Sequence, residues 1–159
     1  MPTASEREAP PQLVGPFYCD ASALAKLFVP EGESDELNAL LLGRDDVLVS
    51  ELGMTEVVSA LARRMREGAV TPATATLVHR RLLAVAAQGA FRRIDLLPAT
   101  HREAERLLLA PTRAPLRAAD ALHLALALGA GAGTVLTFDR ALARAAIEQG
   151  LAVWPGEAP

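Results

Sequence analysis

Short apolar runs alternate along this chain with longer stretches whose apolar residues recur every three or four positions. The runs GPFYCD (15–20), DDVLVS (45–50), FRRIDLL (91–97), TVLTFD (134–139) and LAVW (151–154) read as five strands. The intervening stretches read as helices. Ala21–Val29 is stopped by Pro30, and a second helix runs from Ser34, as its cap, through Leu42 to the stop at Gly43. Ser50 caps a long helix to Arg66, closed by Gly68, and Thr71-Pro72 opens another that runs to Gln88. Thr100 and Glu103 form a capping box for a helix through Ala110. Leu116–Leu128 ends in Gly-Ala-Gly-Ala-Gly, and Arg140–Gln149 ends at Gly150. Strands separated by helices predict an α/β domain with a parallel sheet covered on both faces. In such sheets ligands sit beyond the carboxyl ends of the strands, near a switch point in strand order. The residues there, after the first and fourth strands, are both aspartates: Asp20 and Asp139.

Composition narrows this picture. A chain of 159 residues, 51% hydrophobic, suits one domain with a real core, and with only 4% aromatics that core must be Leu, Ala and Val. No apolar run reaches the roughly 18 residues that span a membrane. The polar, Pro-rich start MPTASEREAPPQLVGP lacks the basic and apolar regions of a secretory signal. It reads as a flexible arm, residues 1–16, before a single domain over 17–159. The lone cysteine, Cys19, has no internal disulfide partner, which fits a reducing cytoplasm, and its place in a strand marks it as buried filler. The net charge of −3 argues against holding nucleic acid by overall attraction, so any such contact falls to local arginines.

Most of the 19 acidic residues lie in the tail, in turns or at helix starts. Four lie in apolar settings: Asp20, Glu56, Asp120 and Asp139. Glu56 has Leu52, Ser59 and Ala60 as helical neighbours, and Asp120 has Leu116 and Leu124. Each has a structural account. Asp20 and Asp139 suit helix caps, Asp120 suits a pair with Arg117, and Glu56 suits a pair with Arg63 or with another arginine. Taken together, four converging carboxylates would repel one another unless cations bound them. Oxygen ligands without sulfur favour Mg²⁺ or Mn²⁺ over zinc. Such ions suit phosphoester hydrolysis, because they acidify water and neutralise charge on the phosphate. His79, His101 and His123 form no ligand set. His123, three residues after Asp120, reads as a packing or hydrogen-bonding residue.

Four segments, in order, resemble the PIN domain and specifically the VapC-type toxins of prokaryotic toxin–antitoxin pairs. They are YCDASALAKLF with the nearby Glu31, VSELGMTEVVSALAR, LRAADALHLALAL, and TVLTFDRALARAA followed by GLAVW. The resemblance covers Phe17 to Trp154. It implies an α/β/α sandwich with a five-stranded parallel sheet in the order 3-2-1-4-5, and a Mg²⁺- or Mn²⁺-dependent endoribonuclease. By motif it carries over Asp20, Glu56, Asp120 and Asp139 as the acidic, metal-binding quartet. Ser22 and Thr137 carry over as hydroxyls supporting the first and last aspartates, alongside plain capping and packing roles. It also implies a homodimer and a VapB-type antitoxin whose tail covers the acidic site. Some relatives carry a further acid or Asn just after the last aspartate, where this chain has Arg140, Ala141 and Leu142.

Other readings stay open at this stage. A haloacid-dehalogenase-like phosphatase also uses an aspartate after its first strand, but wants a second acid where this chain has Ser22. A receiver-like phosphoacceptor wants a late lysine, and the only lysine here is Lys26. A binding module could keep the quartet and act through complex formation. For an RNA substrate, Arg63, Arg64, Arg113, Arg117 and Arg140 are the candidate phosphate contacts. The Ala- and Leu-rich helices offer apolar faces for self-association or for a partner.

Overall fold

Phe17–Cys19 (β1), Val47–Ser50 (β2), Arg92–Ile94 (β3), Thr134–Leu136 (β4) and Ala152–Trp154 (β5) pair in parallel, in the order β3-β2-β1-β4-β5. The computed structural model describes residues 12–111 and 115–156. Among the described residues seven helices join or follow the strands: Ala21–Phe28 (α1), Ser34–Leu41 (α2), Glu51–Arg66 (α3), Pro72–Ala87 (α4), Pro98–Leu109 (α5), Ala118–Gly129 (α6) and Arg140–Glu148 (α7).

The apolar runs of β1, β2 and β4 are continuous because both faces of the sheet are covered there. Successive side chains point to opposite faces. Tyr18, Leu48, Val135 and Val153 therefore enter one core with Leu107 of α5, Leu124 of α6 and Leu142 of α7. Phe17, Cys19, Val47, Val49 and Leu136 enter the other with Leu24 of α1, Leu37 of α2, Val57 of α3 and Leu82 of α4. The result is three layers, with the sheet in the order that the family resemblance implied. Cys19 is buried, as its strand position predicted. β1 lies at the centre, where the chain first winds toward β2 and later returns to β4. This switch point opens a crevice at the carboxyl ends of the two strands.

At one edge, β3 carries exposed Arg92 and Arg93, and Arg93 pairs with Glu51 at the start of α3. Charge on an edge strand discourages pairing with another chain. The amino end of the sheet is closed by the segment before β1. Val14 donates its N–H to Thr134 Oγ1 (3.1 Å), and the threonine hydroxyl donates back to the Val14 carbonyl (2.7 Å). The approach leaves no room for a side chain at position 133, where a Cβ would lie 2.5 Å from the Val14 oxygen. Residues 1–11 of the expected arm lie outside the described residues.

Three helix starts differ from the sequence pattern. Ser34 is the first residue of α2 rather than its cap, and its hydroxyl turns back to accept from the Glu31 N–H (2.9 Å). α5 begins at Pro98, whose fixed φ and missing N–H suit a first turn, so Thr100 falls inside the helix. α6 begins at Ala118, two residues later than the apolar pattern suggested. Among the described residues no helix is long and apolar enough to cross a membrane.

Candidate active site

Asp20 follows β1 directly and caps α1. Its Oδ1 accepts from the Ala23 N–H (2.9 Å) and the Ser22 hydroxyl (2.7 Å), and its Oδ2 accepts from the Thr137 hydroxyl (2.6 Å). Both hydroxyls are used twice. Ser22 Oγ accepts from the Phe138 N–H (2.8 Å), and Thr137 Oγ1 accepts from the Asp139 N–H (3.0 Å). The loops after β1 and β4 are thus pinned across the switch point. Asp139 in turn caps α7, its Oδ1 accepting from the N–H groups of Ala141 (2.8 Å) and Leu142 (3.0 Å).

The electrostatics of Asp20 are unusual for a capping residue. Only 4% of it is exposed, and the bonds that hold it come from two hydroxyls and one amide, all neutral donors. Burial pushes its carboxyl pKa up. The bonds from Thr137, Ala23 and Ser22, and the field of His123, pull the other way.

Glu56, on α3, does not turn along its own helix to Arg63. Arg63 lies 3.9 Å from Glu67 on the exposed side. Glu56 Oε2 instead lies 2.6 Å from His123 Nε2, on α6. The imidazole continues inward, with Nδ1 2.7 Å from the Tyr18 phenol, which lies 3.2 Å from Ser50 Oγ. Ser50 caps α3, accepting from the Gly53 N–H at 3.1 Å. The Tyr18 phenol is pushed up chiefly by burial, against its bond with Ser50. Asp20 and Glu56 both add to the rise, so the two carboxylates act on one phenol. Asp120 lies one turn before His123, half-buried, and its Oδ2 accepts from the Arg117 backbone N–H (3.0 Å) rather than from the guanidinium.

The structure therefore places Asp20, Ser22, Thr137 and Asp139 in one hydrogen-bonded unit at the strand ends. Asp120 and Glu56 stand on the helices joined through His123. The sequence pointed to His123 as a packing or hydrogen-bonding residue with no partner named, and to Tyr18 only as core. The usable signal was the spacing of His123, which puts it on the Asp120 face of α6. The phenol gave none.

Beside Ser22 a groove of about 470 Å³ runs between α1 and α3, lined in part by Lys26, Glu31, Arg63, Arg64 and Phe138. Lys26 pairs with Glu33 (3.1 Å) and Arg64 with Glu31 (2.7 Å). Arg117 and Arg140 stand exposed at the starts of α6 and α7, next to Asp120 and Asp139, and Arg113 lies outside the described residues.

The donors available to a cation are hard carboxylate and hydroxyl oxygens, the type that Mg²⁺ and Mn²⁺ prefer. Among the described residues no three His, Cys, Asp or Glu side chains gather closely enough to form a ready ligand cage. Mg²⁺ does not require one, since it is commonly held by one or two carboxylates with water and substrate phosphate filling the other positions. The residues fit such an ion on those terms, with Asp20 as the buried carboxyl group at the switch point.

A PIN domain family model matches residues 17–148, and the chain belongs to that family. Within it, the chain is similar to Ribonuclease VapC46 of Mycobacterium tuberculosis, 35% identical over 139 residues that cover 86% of this chain and 95% of the relative. Ribonuclease VapC45 of the same species is 35% identical over 142 residues, covering 88% and 95%. Solved structures share the fold. M. tuberculosis VapC20, a sarcin-ricin loop cleaving toxin, matches with a TM-score of 0.64 at 17% identity, over 80% of this chain and 92% of that one. FitAcB from Neisseria gonorrhoeae matches with a TM-score of 0.66 at 17% identity, over 86% and 95%.

Proposed function

We propose that the protein is a Mg²⁺- or Mn²⁺-dependent endoribonuclease and the toxin component of a type II toxin–antitoxin pair, acting in the cytoplasm. The observation that carries this reading is Asp20, a nearly buried carboxylate at the switch point, held among the described residues by neutral donors alone. Membership in the PIN family and the 35% identity to proteins named ribonucleases support it.

In this reading Asp20 and Asp120 hold the ion directly, and Glu56 and Asp139 complete its shell, directly or through water. When bound, the ion would acidify water and neutralise charge at the scissile phosphate. Ser22 and Thr137 fix the Asp20 carboxylate from two sides, so that its position costs no reorganisation when substrate arrives. Glu56 keeps one oxygen on His123 while its side chain is 35% exposed, which leaves it able to orient or deprotonate the attacking water. Arg117 and Arg140, exposed beside the acids, would meet RNA phosphates. A VapB-type antitoxin and a second copy of the chain are the proposed protein partners. Exposed Leu42, Leu108 and Leu109 support such contacts.

The test is RNA cleavage by purified protein freed of any partner, with Mg²⁺, with Mn²⁺ and in excess EDTA, beside Asp20→Asn. Cleavage is expected with either ion, lost in EDTA and absent in the variant. Full activity in EDTA or in Asp20→Asn would sink the site. A folded wild type that cuts no RNA would favour a binding module acting through complex formation.

A further inference from the structure

We propose that His123 is a positioning residue for Glu56, the outer end of a buried hydrogen-bond chain Ser50–Tyr18–His123–Glu56 that aims this carboxylate at the site. The inference rests on the reading of Glu56 above, and it adds Ser50, Tyr18 and His123, which lie outside the acidic quartet.

The contacts form one unbroken series. The distances are 3.2 Å from Ser50 Oγ to the Tyr18 oxygen, 2.7 Å from there to His123 Nδ1, and 2.6 Å from His123 Nε2 to Glu56 Oε2. An ionised Glu56 can only accept. The imidazole must then carry a proton on Nε2 and donate it to Glu56, and in the tautomer protonated there alone Nδ1 is an acceptor. The phenol fills that acceptor with its one proton. Its oxygen is then free to accept from the Ser50 hydroxyl, which accepts in turn from the Gly53 N–H. Each proton in the series has one acceptor, and no buried side-chain nitrogen or oxygen among the described residues lacks a partner.

The chain also crosses the layers of the domain. Ser50 ends β2, Tyr18 lies within β1, His123 belongs to α6 and Glu56 to α3. Tyr18 has no exposed surface and His123 only 3%, so packing as well as hydrogen bonding fixes the imidazole. The rings meet edge to face, with centroids 5.9 Å apart. A glutamate on a helix surface would ordinarily sample several rotamers. This one is anchored to the centre of the sheet, one turn of α6 from Asp120. A nonpolar residue at position 123 would keep the packing and release the carboxylate.

The experiment pairs His123→Leu with His123→Gln, each alone and combined with Glu56→Gln. A glutamine amide reaches about as far as imidazole Nε2 and can donate to Glu56, whereas leucine cannot. His123→Leu is expected to lower kcat for RNA cleavage roughly ten- to hundredfold with little change in KM, and to weaken Mn²⁺ binding by calorimetry to a similar degree. His123→Gln should recover most of both. In the Glu56→Gln background His123→Leu should cost nothing further. Equal losses in the two backgrounds, or a well-folded glutamine variant as poor as the leucine one, would overturn the proposal. Imidazole ¹⁵N NMR of the wild type in EDTA gives an answer that needs neither RNA nor metal. A proton on Nε2 whose resonance moves in Glu56→Gln supports the chain, and an unprotonated Nε2 overturns it. If the wild type cuts no RNA, the proposed function fails and the NMR result still decides this point.

Discussion

Two aspartates at opposite ends of neighbouring strands show how differently one fold treats the same side chain. Asp46 stands just before β2, at the amino end of the sheet. Arg44 grips both of its oxygens at 2.8 Å, and this bond holds its carboxyl below the ordinary value of 3.8. The same guanidinium lies 4.2 Å from the centre of the Phe17 ring. Asp20 stands just after β1, at the carboxyl end. It is more deeply buried, meets only neutral donors among the described residues, and has its carboxyl pushed above 3.8 by burial. The first carboxylate is electrically complete within the chain. The second is oriented by the protein with no cationic side chain bonded to it among the described residues, which leaves its oxygens for a cation.

Replacing Asp20 tests that contrast most severely. Asp20→Asn keeps a side chain able to cap α1 but removes the charge, so RNA cleavage should fall on the order of a thousandfold or more while circular dichroism stays that of the wild type. Asp46→Asn should leave turnover as it is. A comparable loss in both variants would erase the distinction.

Thr137→Val ranks next. It removes the 2.6 Å bond to Asp20 and the acceptor for the Asp139 N–H at a nearly buried site. We expect a loss of about 1–3 kcal/mol in urea unfolding and a roughly tenfold drop in cleavage. An unchanged rate would mean that Asp20 does not depend on this support.

The pH dependence of stability, measured in EDTA, should run in opposite senses. The folded value of Asp46 lies below 3.8, so its bond to Arg44 adds stability above that value and loses it as pH falls through the lower folded value. The folded value of Asp20 lies above 3.8, so the native state holds that proton more tightly than the unfolded chain does. Its charge therefore erodes stability as pH rises from 3.8 through the raised value. Asp20→Asn should be more stable than the wild type at neutral pH, with the gain vanishing in acid. Asp46→Asn should be slightly less stable at neutral pH, with the difference vanishing in acid. The Asp46 effect should be the smallest, because its arginine partner is solvent-exposed.

Much of this was legible in the sequence. Five strands, their alternation with helices and the placing of Asp20 and Asp139 at strand ends follow from periodicity and turn residues. The sheet order came from the family resemblance, which also pointed to Ser22 and Thr137 as supports of the first and last aspartates, whereas both hydroxyls bond the Asp20 carboxylate. The partner of Glu56 was not legible. Helical spacing relates residues along one helix, whereas His123 reaches Glu56 from another helix 67 positions away. The start of α5 was misplaced because a capping-box pattern at Thr100 competed with Pro98, and proline's fixed backbone prevailed. Tyr18 reads as one more core residue until the fold places a phenol beside an imidazole.

The two hydroxyls between the strand ends also have a consequence in time. The Phe138 and Asp139 amides lie in a loop, where peptide hydrogens ordinarily trade quickly with solvent, yet each is tied to a side chain that also grips Asp20. Their deuterium uptake should be slow, and the two should open together with the α1 start rather than one by one. Either hydroxyl lost alone would then speed exchange on both loops, as though one latch served two doors.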